Sequence, residues 1–213
     1  MRPISSADPE RTPVITIPRF YFIRHGETDW NVEGRLQGGR DIQLNDHGRR
    51  QAKQCGDTLR DLLSDHGKTP ADLSYVSSPL GRARETMQIV RGSISLPAGG
   101  FDVDPRLAEL SFGRWEGMTY REIGVIDGAV LKSRNRDKWG FRPPGGESYA
   151  DLLVLVEAWR QGVAGDVVVT AHGGVARVLM VTFGACTLTE ATNGNIEQGV
   201  VFEFAPGGMK RHW

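Results

Sequence analysis

The 213-residue sequence has only two cysteines, no surplus of either charge and no long hydrophobic run, and each shortage removes a class of explanation. Cys55 and Cys186 cannot build a disulfide framework, and they form no CxxC pair. Cys55 falls on the helical stripe of Ala52, Leu59 and Leu62, so it reads as a buried thiol. Lysine plus arginine number 26 and aspartate plus glutamate number 26, so bulk charge attracts neither nucleic acid nor an anionic membrane, and neither is expected as a partner. Any anion would have to be met by local clustering of arginine. No segment is long and apolar enough to span a bilayer. Met1 to Pro18 carries Arg2, Asp8 and Glu10 and lacks the apolar stretch of a signal peptide. It reads as a polar lead-in over residues 1–18, ahead of one domain over 19–213, in a cytoplasmic protein of a reducing compartment. Familiar catalytic spacings are missing too. Gly67-Lys68-Thr69 lacks the P-loop glycine five residues earlier, where Leu62 stands, and no HExxH or GxSxG occurs. No metal and no cofactor are expected.

What is present is an alternation of short apolar runs and amphipathic stretches. Phe20 to Ile23 reads as a strand that ends in Arg-His-Gly, and Gly48 to Ser64 carries apolar residues at helical spacing. Leu73 to Val76 reads as a second strand, followed by a helix over Leu80 to Val90. Glu147 to Val163 is the clearest helix, with Leu152, Val156, Trp159 and Val163 on one stripe, Ser148 as cap and Gly165 as breaker. Asp166 to Ala171 is an apolar strand of the kind buried on both faces. A helix over about Val175 to Phe183 and a last strand over Asn195 to Phe204 complete the pattern. Such alternation predicts an α/β three-layer domain with a mainly parallel central sheet flanked by helices. The stretch of about 124–146, rich in Arg, Lys, Asp, Gly and Pro, interrupts it and reads as an insertion over one end of the sheet.

Ligands of open parallel sheets bind at the carboxyl ends of the strands. Three predicted strands run out there into chemistry: the first to Arg24 and His25, the second through Ser77, Ser78 and Pro79 to Arg82, the third to His172. Glycines follow both histidines and let backbone N–H groups approach an anion. A lone histidine or arginine at a strand end is ordinarily a polar residue satisfying a loop. Four of them converging on one rim suit a dianionic phosphate.

The segment Phe22 to Asn31 (FIRHGETDWN) resembles the signature of the histidine phosphatase superfamily, the phosphoglycerate mutase-like family. Further motifs follow in order: Ser78-Pro79-Leu80-Gly81-Arg82-Ala83 with Thr86, then Leu107 to Gly117 (LAELSFGRWEG), then Ala171-His172-Gly173-Gly174. The resemblance runs from about Arg19 to Phe204. It implies that His25 is the nucleophile that becomes phosphohistidine, and that Arg24, Arg82 and His172 bind the phosphoryl oxygens. It implies that Glu109 is the proton donor and acceptor, and that Asn31, Gln37, Gly38 and the Gly173 backbone contact phosphate or substrate. Taken alone, Glu109 reads as readily as a surface carboxylate. Such a site needs no metal, because fixed cations meet the charge of the transferring group.

The family holds both phosphatases and mutases. Pro144-Gly145-Gly146-Glu147-Ser148 and the short insertion resemble the phosphatase branch, including broad-specificity and α-ribazole phosphatases. Gln43, where many relatives have proline before the Leu44 position, departs from the pattern and bears on substrate detail. The expectation is a metal-independent histidine acid-type phosphatase, a phosphomonoesterase acting on a small phosphorylated metabolite. The alternatives are mutase-type phosphoryl transfer and a non-catalytic phosphate-binding regulatory domain. The insertion carries Lys132, Arg134, Arg136, Lys138 and Arg142, which read first as a solvated charged loop. If some faced the site, they would favour a substrate with a second negative group. Oligomeric state is not legible.

Overall fold

The two most apolar runs become neighbouring strands in the middle of the sheet. In the computed structural model, which describes residues 18–213, β1 (Phe20–Arg24) is followed by a short α1 (Asp29–Val32) and by α2 (Asp46–Asp65). The expected lead-in, apart from Pro18, lies outside the described residues. Next come β2 (Ser74–Ser77), α3 (Gly81–Ser93), β3 (Asp102–Val103), α4 (Tyr120–Ile126) and α5 (Gly128–Arg136). The chain then runs through α6 (Tyr149–Arg160), β4 (Val167–Ala171), α7 (Gly173–Thr182), α8 (Leu188–Asn193), β5 (Val201–Ala205) and β6 (Gly208–His212). Caps set several starts. Asn45 accepts from Gly48 N at the head of α2, and Ser148 closes a capping box with Asp151 at the head of α6.

The sheet order is β3-β2-β4-β1-β5-β6. β2 pairs parallel with both β3 and β4, and β4 pairs parallel with β1, whereas β5 and β6 join antiparallel. Strand alternation sends the two faces into separate cores. Phe20, Phe22, Val167, Val169, Phe202 and Phe204 pack on the side of α6 and α7, against Leu152, Val156, Trp159 and Leu179. Tyr21, Ile23, Val168 and Val201 pack on the other side, against Cys55, Leu59, Met87 and Val90 from α2 and α3. Each fully buried phenylalanine is worth about 1.5–3 kcal/mol over leaving it exposed. The result is the expected three-layer α/β arrangement, with a mixed, mostly parallel sheet. Among the described residues no helix is long and apolar enough to cross a membrane.

Two expectations are corrected. The last strand over Asn195–Phe204 shortens to β5, because Gly199 takes φ +76 and breaks the extended chain, so 195–200 is a loop. The chain also does not finish there: Pro206–Gly207 turns it back into β6. Register positions the site. Arg24 lies opposite Ala171 and Ser77 opposite Thr170. Beyond the strand ends, His25 N donates to Ala171 O (2.9 Å) and Ser78 N donates to Thr170 O (2.9 Å). His25, His172 and Ser78 therefore leave three adjacent parallel strands side by side.

Candidate active site

His25 and His172 are both buried, with ring centroids 5.2 Å apart. His25 Nδ1 lies 2.8 Å from the Gly26 carbonyl oxygen. A carbonyl only accepts, so Nδ1 carries the proton and Nε2 keeps its lone pair. Burial, then Arg24 and Arg82, hold the His25 ring well below its ordinary value of 6.5, so it is neutral near pH 7. His172 is lowered for the same reasons: burial first, then Arg82, His25 and Arg24. Its Nε2 lies 2.6 Å from Ser78 Oγ, which also accepts from Leu80 N (3.3 Å). Ser78 Oγ thereby holds the His172 ring, and when its hydroxyl gives the proton to Nε2, His172 Nδ1 carries the N–H that an anion can meet.

Arg82 enters from the first turn of α3 and is 1% exposed. Its terminal nitrogens donate to Gly38 O (2.9 Å) and Arg40 O, which pins the loop carrying Gln37 and Gly38. Arg24 donates from one terminal nitrogen to Ile196 O (2.6 Å), and burial lowers its pKa to about 10, leaving it charged at neutral pH. Three buried nitrogens have no partner among the described residues: Arg24 Nε, Arg82 Nε and His172 Nδ1. Uncompensated buried donors are costly in a folded protein, and a set of them around one cleft marks where an anion belongs.

Glu109 stands across the cleft after a 3₁₀ turn (Pro105–Leu107). Gly174 N donates to both its carboxyl oxygens, at 3.1 and 3.2 Å, and Leu110 N donates to one at 3.2 Å. Desolvation by burial raises its pKa and outweighs the lowering effect of the Gly174 N–H, Arg82 and Arg24. A Cβ at Gly174 would lie 2.2 Å from Glu109 Oε1, so only glycine allows this approach. Asn31 closes a capping box with Thr28 at the head of α1, its Oδ1 accepting from Thr28 N (3.1 Å) and Gln198 Nε2 (3.1 Å). The cleft, about 500 Å³, is lined by every residue named for the site from the sequence except His172, which lies fully buried beneath it.

Sequence reasoning missed the residues that hold this set in place. Gln198 Nε2 donates to His25 O (3.0 Å) and joins it to Asn31. Thr86 Oγ1 accepts from Gly26 N (3.1 Å). Glu147, in the Gly-Gly-Glu-Ser stretch, accepts from Ser111 N (2.9 Å) and so braces the segment that carries Glu109. The charged insertion splits. Arg134 and Lys138 line the cleft, Lys132 and Arg136 face solvent, and Arg142 pairs with Asp151. Among the described residues no group of three or more His, Cys, Asp and Glu side chains is placed to hold a metal.

Comparison with known proteins now has a geometry to rest on. Residues 20–210 match the profile of the histidine phosphatase superfamily, branch 1. The chain is 33% identical over 176 residues to a glucosyl-3-phosphoglycerate phosphatase of Mycolicibacterium vanbaalenii, covering 76% of this chain and 72% of that one. It is 34% identical over 166 residues to the phosphoglycerate mutase-like protein 4 of Arabidopsis thaliana, covering 74% and 67%. The solved α-ribazole phosphatase from Shigella flexneri superposes with a TM-score of 0.73 at 25% identity, covering 87% of this chain and 89% of that one.

Proposed function

The chain belongs to the histidine phosphatase superfamily, and from that premise we propose that it hydrolyses a small phosphomonoester through a phosphohistidine on His25. One observation carries this reading. The free Nε2 lone pair of His25 shares a cleft with the unpartnered Nε–H groups of Arg24 and Arg82, and the unpartnered Nδ1 of His172 lies buried beside them. That is a nucleophile beside donors for phosphoryl oxygens.

In the first step His25 Nε2 attacks phosphorus, the P–N bond forms and the ester P–O bond breaks. The two guanidinium groups and the His172 N–H stabilise charge spread over the three non-bridging oxygens. Glu109, whose pKa burial raises, gives its proton to the departing oxygen. The Gly26 carbonyl steadies the Nδ1–H while the His25 ring carries the phosphoryl group. In the second step the Glu109 carboxylate takes a proton from water, the water oxygen bonds to phosphorus and the P–N bond breaks. Phosphatases among the relatives support water as the acceptor. Rapid quench with ³²P-labelled substrate should trap an acid-labile, base-stable phosphoprotein that His25→Ala cannot form. Label appearing as inorganic phosphate is the expected fate. Label returned to another oxygen of the substrate would establish mutase-type transfer, and label bound but never transferred a regulatory domain.

A further inference from the structure

The backbone around the nucleophile has its polar groups met from several directions. His25 N donates to Ala171 O (2.9 Å) at the end of β4, Gly26 N donates to Thr86 Oγ1 (3.1 Å) on α3, and Gly26 O accepts from the His25 ring (2.8 Å). His25 O accepts from Gln198 Nε2 (3.0 Å), a side chain of the loop between α8 and β5. The same nitrogen lies 3.1 Å from Asn31 Oδ1. His25 and Asn31 both line the cleft, whereas Gln198 stands behind them and is not part of its lining. Gln198 therefore reaches the reaction only through those two residues.

Backbone chemistry fixes which way each amide faces. His25 O can only accept, so the Gln198 atom beside it is the N–H₂ end. Thr28 N can only donate, so the Asn31 atom 3.1 Å from it is the amide oxygen. Gln198 then gives one hydrogen to His25 O and the other to Asn31 Oδ1. Three donors surround that oxygen: Thr28 N, Thr28 Oγ1 (3.0 Å) and Gln198 Nε2. A capping box needs only the first of them. The N–H₂ end of Asn31 meets no acceptor among the described residues, and Asn31 shares the cleft with Arg24, His25 and Arg82.

We propose that Gln198 is a positioning residue of the phosphoryl site: the nitrogen that holds the His25 carbonyl also holds Asn31 Oδ1, and so keeps the Asn31 N–H₂ group turned to the phosphoryl oxygens. This rests on the hydrolase reading above and deepens it. Turning the Asn31 amide over would bring an acceptor oxygen against an anion and set its N–H₂ group against two donors, Thr28 N and Gln198 Nε2. Because one nitrogen serves both partners, the place of the nucleophile's carbonyl and the orientation of the Asn31 donors are fixed together.

Inorganic phosphate is the probe, followed by nitrogen NMR of the side-chain amides and by calorimetry. The Asn31 amide signal is identified by its loss in Asn31→Ala. Phosphate should shift that signal in the wild-type protein. In Gln198→Met, which keeps the length of the side chain but has no donor, the shift should fall by about half or more, and phosphate should bind about 10-fold more weakly, as a hydrogen bond to a charged group is worth. In the Asn31→Ala background the same change should cost about 2-fold or less, because the two side chains act on one bond. Losses that multiply in full, or an Asn31 signal that responds to phosphate as strongly in Gln198→Met as in the wild type, overturn the proposal and leave Gln198 a brace of its loop. If Gln198→Met fails to fold, Gln198→Glu keeps the test sound. Its carboxylate only accepts and should draw the Asn31 N–H₂ group to itself, so the signal moves before any phosphate is added; a signal at its wild-type position overturns the proposal. Turnover is read separately on a phosphomonoester. If phosphate shifts the Asn31 signal and no ester is hydrolysed, the hydrolase reading fails and the orientation of Asn31 stands. If the wild-type signal ignores phosphate, the positioning role falls whatever the turnover.

Discussion

Four of the five histidines form two clusters at opposite ends of β1, and the contrast shows what separates a reactive site from a structural one. At the carboxyl end, His25 and His172 lie with Arg24 and Arg82, and polar atoms are left over. Towards the amino end, His66 and His212 surround Glu203, which is 3% exposed. There the polar atoms are satisfied within the protein. Arg19 and His66 (3.7 Å) meet one carboxylate oxygen, His212 Nε2 donates to the other (3.0 Å), and Tyr21 OH bonds His66 Nδ1 (2.9 Å). Both ends hold histidines beside charge, buried at the carboxyl end and half-buried at the amino end. What distinguishes them is that one network is closed and the other is open towards a cleft.

The sharpest break between them is a pair of alanine variants. His25→Ala should lower turnover by on the order of 10⁴-fold or more, as loss of a covalent nucleophile does. His66→Ala should leave turnover within about 2-fold, since exposed-edge changes away from the chemistry are small. Steady-state rates on one phosphomonoester, with circular dichroism to show folding, decide it. Comparable losses in both would erase the distinction.

Glu109 tests the open cluster through its proton. Glu109→Gln should cost ~10²–10⁴-fold on an alkyl phosphate. The loss should be much smaller in the first step on p-nitrophenyl phosphate, whose leaving group needs little protonation. The pH profile follows from the two shifted groups. The first step needs neutral His25, so its rate falls as pH drops through the His25 value, well below 6.5. It also needs protonated Glu109, so for an alkyl phosphate the rate falls as pH rises through the Glu109 value, above 4.5. Glu109→Gln should abolish that alkaline limb and leave the acid limb. Stopped-flow nitrophenol release beside single-turnover alcohol release measures both, and equal losses on the two substrates would remove Glu109 as the acid.

Ser78 sits between the categories, because it is buried like a structural residue but acts on the open cluster. Its Oγ lies 2.6 Å from His172 Nε2 and so orients that ring. Ser78→Ala should let the ring turn or change tautomer and should lower kcat about 10-fold, in the range seen when an orienting partner of a functional histidine is lost. The loss should fall on kcat more than on KM, with the melting temperature nearly unchanged. A change in melting temperature with no change in kcat would place Ser78 with the structural set.

How much of this was legible follows the same division. β1 and β4 showed in sequence because strands covered on both faces read as unbroken apolar runs, and α2 and α6 because their buried stripes repeat at helical spacing. β3 is two exposed residues and β6 reads Gly-Met-Lys-Arg-His, so neither has an apolar pattern to detect. The loop before β5 looked like strand because Ile196 and Val200 are apolar. The left-handed Gly199 leaves no trace in hydropathy. Arg24, His25, Arg82 and His172 were legible as strand-end residues. Their supports were not, since Gln198 lies 173 residues from His25 and Ser78 lies 94 from His172. The basic residues of the 124–146 insertion were read first as a solvated loop, yet Leu131, Arg134 and Asn135 line the cleft at i, i+3 and i+4 of α5, with Lys138 in the turn just beyond it. Charge density hid that short helical period.

The closed cluster gives the smallest expected effect on rate and the clearest on stability. Glu203→Gln keeps the shape of the side chain but removes the charge that Arg19, His66 and His212 share. Arg19 is 42% exposed and can turn to water, so the cost falls below that of breaking a fully buried pair. What is lost is charge-assisted hydrogen bonding, and one amide N–H₂ is forced to face a donor. About 1–3 kcal/mol is the expected destabilisation. In a chain of this size each kcal/mol moves the melting temperature by about 2–4 °C. Turnover at 25 °C should stay within about 2-fold, because the carboxyl end of β1 is held by its own backbone bonds to β4 and β5. His25→Ala should behave in reverse, losing turnover with a smaller change in melting temperature, since the neutral ring borders a cleft that water can refill. Thermal melts and rates on both variants complete the cross. If Glu203→Gln lowered kcat tenfold at a temperature where it is fully folded, the two ends of β1 would be coupled, and the closed cluster would belong to the catalytic apparatus.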